Sequence, residues 1–321
     1  MMTLSKFAKI AHVSVATASK AFSGSSEVNE QTREMIFDIA KKEGCFKKFF
    51  NAKYRKLVIA IICPEFSSLH YADYLSLIQK NLEKENCEIC VATTSFSSQT
   101  ERELMEYYYQ YANVDGIIVI NSHVKHTDNY EIPVVFINSA YEQPGYVSIS
   151  NDKFSAFSES IEYLVQHHVD SIGFIGENLT IGKLKQFRKV LAEKGLEPNE
   201  NDISITAERF EAGGYAAMEA LFSRNQLPRA IVCAYDYMAI GAIRCIYDHG
   251  KTVPDDIAVL GMDDIPEARY LNPPLASLSS QMEELCRMAS SAIIRQINGE
   301  AVEYTHTFNS VFCLRKSFEI S

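Results

Sequence analysis

No stretch of about 18 uncharged apolar residues occurs in this chain, so no membrane-spanning helix is expected. The opening Met-Met-Thr-Leu-Ser-Lys runs into alternating apolar and basic residues, without the apolar block of about 7 to 15 residues that marks a secretory signal. That absence points to the cytoplasm. A Gly-x-Ser-x-Gly elbow, a Gly-Lys-Ser/Thr phosphate loop and a His-x-x-x-His pair are also missing, which argues against the hydrolase, nucleotide-dependent and zinc-protease chemistries they support. His167 and His168 read as a helix C-terminus, favoured by its dipole. Asp263 and Asp264, at a strand end with no further acidic cluster, read as partners of backbone groups in the next loop. No catalytic residue, metal or cofactor is expected.

The eight cysteines (Cys45, Cys63, Cys87, Cys90, Cys233, Cys245, Cys286 and Cys313) are scattered through apolar runs. In a reducing compartment they read as small buried hydrophobes. Cys87 and Cys90 have the spacing of a redox or zinc half-site, but no second pair accompanies them, and residues 88–94 read as a strand.

What is present is a sharp partition of charge. The first 56 residues carry 11 Lys or Arg against 5 Asp or Glu, a net +6; the chain totals of 31 and 41 then leave 20 against 36, or -16, for the remainder. A small basic head on a large acidic body implies that only the head meets a polyanion. At 321 residues, two or three domains are expected.

Within the head, Thr3 is placed to cap a helix over residues 4–11 that buries Leu4, Phe7, Ala8 and Ala11. A turn at His12 and Val13 follows, and Ser14 caps a second helix over 15–22, whose Ala18 and Phe22 face inward. Ser23 to Ser26, around Gly24, break it. Asn29 caps a third helix over 30–43 that packs Met35, Ile36, Ile39 and Ala40, and Gly44 ends it. Three such helices form a helix-turn-helix whose second helix enters the major groove. Its outer face offers Val15, Ala16, Thr17, Ser19 and Lys20: small apolar groups for thymine methyls, and an ammonium for a guanine edge. Thr17, Ser19 and Arg33 suit phosphates.

The run TLSKFAKIAHVSVATASK at 3–20 and its continuation VNEQTR at 28–33 resemble the head of the lactose-repressor (LacI/GalR) family of bacterial transcription regulators. On that resemblance Thr3, Ser14 and Ser23 join the DNA-binding set. Two positions depart from the family: Lys20 replaces an arginine, exchanging a planar fork for a point charge, and Ser23 replaces an asparagine.

Residues 45–56 interleave five basic residues with four aromatics, a composition suited to a segment lying along a DNA groove. The resemblance implies a hinge that forms a short helix on DNA, with Tyr54 at the position of the family's wedging leucine and Arg55 beside it. Lys47 and Lys48 stand where the family has Pro-Asn. The competing reading is a solvated basic tether.

From Leu57 on, strand-like and helix-like runs alternate in two series: strands over 58–63, 89–94 and 116–120, then over 172–176, 203–205, 230–234 and 257–262. Helices intervene. The fold class is therefore α/β, with two doubly wound parallel sheets and their strand ends around one cleft. The blocks AIVCAYDYMAIG at 230–241, VPDDIAVLGMDD at 253–264, PPLASL at 273–278 and LRKS at 314–317 extend the resemblance, the last as a closing strand. It implies a periplasmic-binding-protein-like body that holds a small effector. The expected division is 1–46 head, 47–56 linker, 57–150 with 282–308 N-terminal lobe, and 151–281 with 309–321 C-terminal lobe.

In the cleft, the resemblance assigns Asp236 to sugar hydroxyls, although an Asp after a strand can equally cap the next helix. Lys183 stands where the family uses an arginine on its ligand, and Gln281 matches a crossover glutamine that reaches into the cleft. Asn121 and Asn151 are similarly placed. Tyr71 and Phe210 are candidates to stack on a sugar face, or else ordinary core or rim. The expected partners are double-stranded operator DNA, a small effector of sugar type, and a second copy of the chain, with no membrane. Two heads a helical turn apart read a palindrome. Because the sequence stops soon after the expected closing strand, no tetramerisation helix is expected. The reading is a ligand-responsive repressor of carbohydrate-utilisation genes. A regulator driven by a protein partner, or a solute-binding protein without a DNA role, remain the alternatives.

Overall fold

A computed structural model of the protein describes residues 2–50, 56–112, 114–224 and 227–320. The chain divides into two compact units, Met1–Leu57 and Val58–Ser321. Among the described residues no helix is long and apolar enough to cross a membrane.

The first unit consists of α1 (Leu4–Ile10), α2 (Val15–Phe22), α3 (Glu30–Lys42) and α4 (Phe46–Phe49). Each of the first three is capped by the side chain its sequence supplies: Thr3 accepts from Lys6 N, Ser14 from Thr17 N and Asn29 from Thr32 N. Each such cap satisfies a helix N–H that otherwise has no intrahelical partner. Phe7, Ala8, Ala18, Ala21, Phe22, Ile36 and Ala40 form the core. Met35, expected inside, is exposed, and Phe37 packs on that core in its place.

The aromatics expected to lie in a DNA groove have a different role. Phe46, Phe49 and Phe50 occupy one face of α4 and its C-cap, and they pack on the head core. Phe49 sits with ring centroids 5.7 Å from both Phe7 and Phe22, and Phe46 lies 5.0 Å from Phe37. A helical turn partly buries three aromatic rings that a groove-bound extended segment would leave in water. Tyr54 and Arg55 lie outside the described residues.

The second unit holds β1 (Leu57–Cys63), α5 (Leu69–Glu83), β2 (Cys87–Thr93), α6 (Ser98–Gln110), β3 (Gly116–Ile120), β4 (Val134–Ile137) and β5 (Val147–Asp152). Next come α7 (Lys153–Gln166), β6 (Ile172–Glu177), α8 (Ile181–Glu193), β7 (Ile203–Thr206), α9 (Phe210–Phe222), β8 (Ala230–Cys233), α10 (Asp236–Asp248) and β9 (Ala258–Asp263). The chain closes with β10 (Ala276–Ser279), α11 (Met282–Ile297), β11 (Thr305–Asn309) and β12 (Val311–Cys313).

These strands make two six-stranded sheets, in the orders β11-β5-β4-β3-β1-β2 and β12-β10-β9-β8-β6-β7. Parallel registers join β1 to β3 (Ile61 opposite Ile118) and β6 to β8 (Phe174 opposite Val232), and β12 is antiparallel to β10. β3, β4, β6 and β8 are buried along their whole length, as parallel strands covered by helices on both faces require. The chain passes between the lobes after β5, after β10, where α11 packs on α5 and β4, and between β11 and β12. The closing strand lies at Val311–Cys313 rather than at 314–317, where Ser317 instead ties β9 to β10 by accepting from Ala276 N and donating to the Val259 carbonyl.

Candidate functional site

In both sheets strand order reverses beside the first strand, between β1 and β3 and between β6 and β8. Such switch points leave a crevice at the carboxyl ends of parallel strands. A cleft of about 700 Å³ opens there, between the lobes. Its polar lining comes from residues that end or follow strands: Asn121 after β3, Asn138 after β4, Asn151 on β5, Glu177 at the end of β6, Tyr235 after β8 and Asp263 at the end of β9. Tyr71, Phe96, Phe210 and Tyr237 add aromatic surface.

Of the expected effector-binding residues, Tyr71, Asn121, Asn151, Lys183 and Phe210 line this cleft. Asn121 donates from Nδ2 to the Tyr71 hydroxyl at 2.9 Å, and burial pushes the Tyr71 phenol well above its ordinary pKa. Asn151 donates its side-chain amide to Ser310 Oγ at 2.7 Å, linking β5 to the crossover between β11 and β12. Lys183 reaches from α8 to the Ala234 carbonyl at 2.6 Å and lies 3.8 Å from Asp263. Phe210 opens α9 with φ 57°, a conformation held by the bond its N–H donates to Tyr235 Oη.

Two expectations are corrected. Asp236 is 1% exposed and does not line the cleft: its carboxylate accepts from Ser277 Oγ at 2.6 Å and Ile265 N at 2.8 Å, and so fastens β10 and the loop after β9 to α10. A Cβ at Gly261 would fall 2.0 Å from Asp236 Oδ1, so only glycine lets β9 pass the carboxylate. Burial, opposed by the Ser277 hydrogen bond and reinforced by Asp263, pushes the Asp236 carboxyl up to about 8. Gln281 heads α11, donates to the Asn309 carbonyl and borders a neighbouring cavity beside Asp73 and Arg269. Its Nε2 holds the crossover.

The cleft also contains charges that the sequence reading missed. Arg209, the N-cap of α9, donates Nη1 to Glu65 Oε2 and Nη2 to Glu65 Oε1, both at 2.8 Å, and its Nε lies 3.5 Å from Glu177. Its guanidinium lies 4.7 Å from the Phe210 ring centroid. Asp263 faces Lys183 and, at 3.9 Å, His70. Asp264 instead pairs with Arg315 at 2.6 Å, so neither member of that acidic pair is confined to loop backbone groups. The signal for Asp263 was its position at the carboxyl end of a parallel strand. Arg209 and Glu65 are 144 residues apart and had no local signal. Paired acids and bases above aromatic faces suit a neutral, hydroxyl-rich ligand, whose hydroxyls can both donate to carboxylates and accept from cations.

In the head, Val15, Ala16, Ser19 and Lys20 are exposed on α2 and Thr17 is half-buried. The Lys20 ammonium pairs with Glu27. Ser23 donates to the Lys20 carbonyl at 3.1 Å, and Ser14 Oγ pairs with Thr17 Oγ1 at 2.7 Å. Arg33, expected on a phosphate, is committed internally: Nη2 donates to the carbonyls of Ser25 at 2.7 Å and Val28 at 3.0 Å, and Nη1 to Glu30 at 3.2 Å. It fixes the loop between α2 and α3.

Comparison with known proteins gives a consistent result. The periplasmic binding protein-like domain family matches residues 161–318. The chain is 27% identical over 318 residues to the probable HTH-type transcriptional repressor ExuR of Bacillus subtilis (strain 168), covering 93% of this chain and 92% of that one. It is 25% identical over 337 residues to the HTH-type transcriptional regulator AscG of Escherichia coli (strain K12), covering 99% and 98%. The fold is that of the lac repressor dimer solved with operator and the anti-inducer ONPF, with TM-score 0.71, 19% identity and 99% of each chain covered.

Proposed function

We propose that this chain, a member of the LacI/GalR family of bacterial transcription regulators, represses carbohydrate-utilisation genes by binding operator DNA as a homodimer. A small effector, a sugar or sugar derivative, sits between the lobes and sets operator affinity. The chain is a regulator rather than an enzyme, and its work on DNA places it in the cytoplasm. The observation that carries this reading is the conjunction of a capped helix-turn-helix, whose α2 face is exposed, with an inter-lobe cleft of paired charges and aromatics.

Val15 and Ala16 offer apolar contact to thymine methyls, Lys20 reaches a guanine edge, and Thr17 and Ser19 bind phosphates. The -16 of the acidic remainder disfavours DNA contact elsewhere. In the cleft, Asp263, Lys183, Asn121 and Asn151 hold hydroxyls, while Phe210 and Tyr71 cover an apolar sugar face. The effector binds the two lobe arrangements unequally, and that difference reaches the DNA as a changed spacing of the paired heads.

The test is selection of duplexes from a random pool with the full-length chain. A near-palindromic consensus is expected, with affinity falling steeply as salt rises. Recovery of no preferred sequence contradicts the reading.

A further inference from the structure

Helices α9 and α10 both start at the cleft and cross in backbone contact. A Cβ on Gly214 would lie 2.0 Å from the Met238 carbonyl oxygen, and one on Gly241 1.9 Å from that of Glu211. At the other end of the pair, about 14–20 Å from the start of α10, Glu219 of α9 meets Cys245 of α10 and His249, its C-cap. One donor atom from each lies within 4.8 Å of the other two.

The spacing resembles a coordination shell. Glu219 Oε2 is 3.5 Å from Cys245 Sγ and 3.5 Å from His249 Nε2. Tetrahedral zinc, with its usual bond lengths to sulfur, nitrogen and oxygen, holds its ligand atoms about 3.4–3.6 Å apart. Cys245 and His249 are one turn apart on the same helix face. The imidazole is already placed: Nδ1 lies 3.0 Å from the Cys245 carbonyl and 3.7 Å from Cys245 Sγ, and in the tautomer that donates to that carbonyl the Nε2 lone pair is turned toward Glu219. The ring stacks on Phe222, with centroids 4.0 Å and planes 11° apart.

We propose that Glu219, Cys245 and His249 bind a thiophilic divalent transition-metal ion, of which zinc is the best match, with water as the fourth ligand. A thiolate, an imidazole and a carboxylate are the donors such an ion takes together. On binding, the Cys245 S–H bond breaks, its proton passes to solvent, and the thiolate pair is donated to the metal; nothing is oxidised or reduced. Without the ion the thiol keeps its proton, because burial and then the Glu219 carboxylate push it up to about 12. The bound ion would join α9 to α10, the two helices that carry Phe210 and Tyr237 into the cleft.

The test is titration of the chelator-treated, full-length protein with Co²⁺, followed by displacement with Zn²⁺. One equivalent should produce a thiolate-to-cobalt charge-transfer band, absent from Cys245→Ser and retained in Cys90→Ser. Affinity should fall at least tenfold in His249→Gln and Glu219→Gln, and Zn²⁺ should raise the melting temperature of the native protein but not of His249→Gln. A native protein without the band, or a band undiminished in Cys245→Ser, overturns the proposal. Should Cys245→Ser fail to fold, unchanged cobalt affinity in folded His249→Gln overturns it equally.

Discussion

Arg209 and Glu65 form a two-pronged ion pair across the cleft, with both N–O separations at 2.8 Å, one partner from each lobe. Hydrogen bonds from Arg209 are the main cause holding the Glu65 carboxyl below its usual range. Because the folded pKa is depressed, this contribution to stability is present above the unfolded value of about 4.3 and is lost as pH falls through the folded one.

Glu65→Gln should therefore loosen this link between the lobes and lower unfolding free energy by about 1.5–3 kcal/mol, the range for hydrogen bonds to charged groups. Small-angle scattering at neutral pH should show a larger radius of gyration for the variant. Native protein should approach it as pH falls through the depressed Glu65 value. Identical scattering curves at neutral pH contradict a bridging role for the pair.

Asp236 should behave as a structural residue. Its folded pKa is raised to about 8, so its contribution is full below the unfolded value of about 3.9 and is lost as pH rises through about 8. Relative to native protein, Asp236→Asn should therefore gain stability steadily from pH 5 to pH 8. Denaturant midpoints measured for both proteins across that range check the slope. Effector affinity of the folded variant should stay within a few-fold of native, whereas Asp263→Asn should lose tenfold or more.

These contrasts show what the sequence could and could not disclose. Caps at Thr3, Ser14 and Asn29 are local chemistry, and the βαβ alternation is local periodicity, so both were readable. The direction of a side chain at a strand end is set by twist and by the neighbouring strand, which is why Asp236 turns inward to Ser277 while Asp263 faces the cleft. Arg33 looked like a phosphate ligand because nothing in its own helix reveals the Ser25 and Val28 carbonyls. The i, i+3, i+4 spacing of Phe46, Phe49 and Phe50 was a legible helical face, masked by the basic residues between them.

Phe49→Ala should unfold the head selectively. Its ring lies against Phe7 and Phe22, and truncation of a partly buried Phe costs about 2–3 kcal/mol, below the range for a fully buried one. Operator affinity should collapse while effector binding by the second unit persists. Equal loss of both contradicts the assignment of α4 to the head.

Lys20 meets DNA only by exchanging Glu27 for a base or phosphate. Glu27→Gln should tighten binding to all duplexes, most at low salt, since it removes a competing anion. Lys20→Ala should cost about 1–3 kcal/mol at one base pair of the operator and relax the preference there. Binding isotherms against single-substituted operators measure both.

The central claim, that the cleft governs the head, is tested most directly by fluorescence anisotropy of a labelled selected operator with full-length protein, titrated with sugars and sugar derivatives. A ligand whose binding is lost in Asp263→Asn should change operator affinity by about 5- to 150-fold. A ligand that fills the cleft, loses its binding in that variant and leaves operator affinity unchanged contradicts the account.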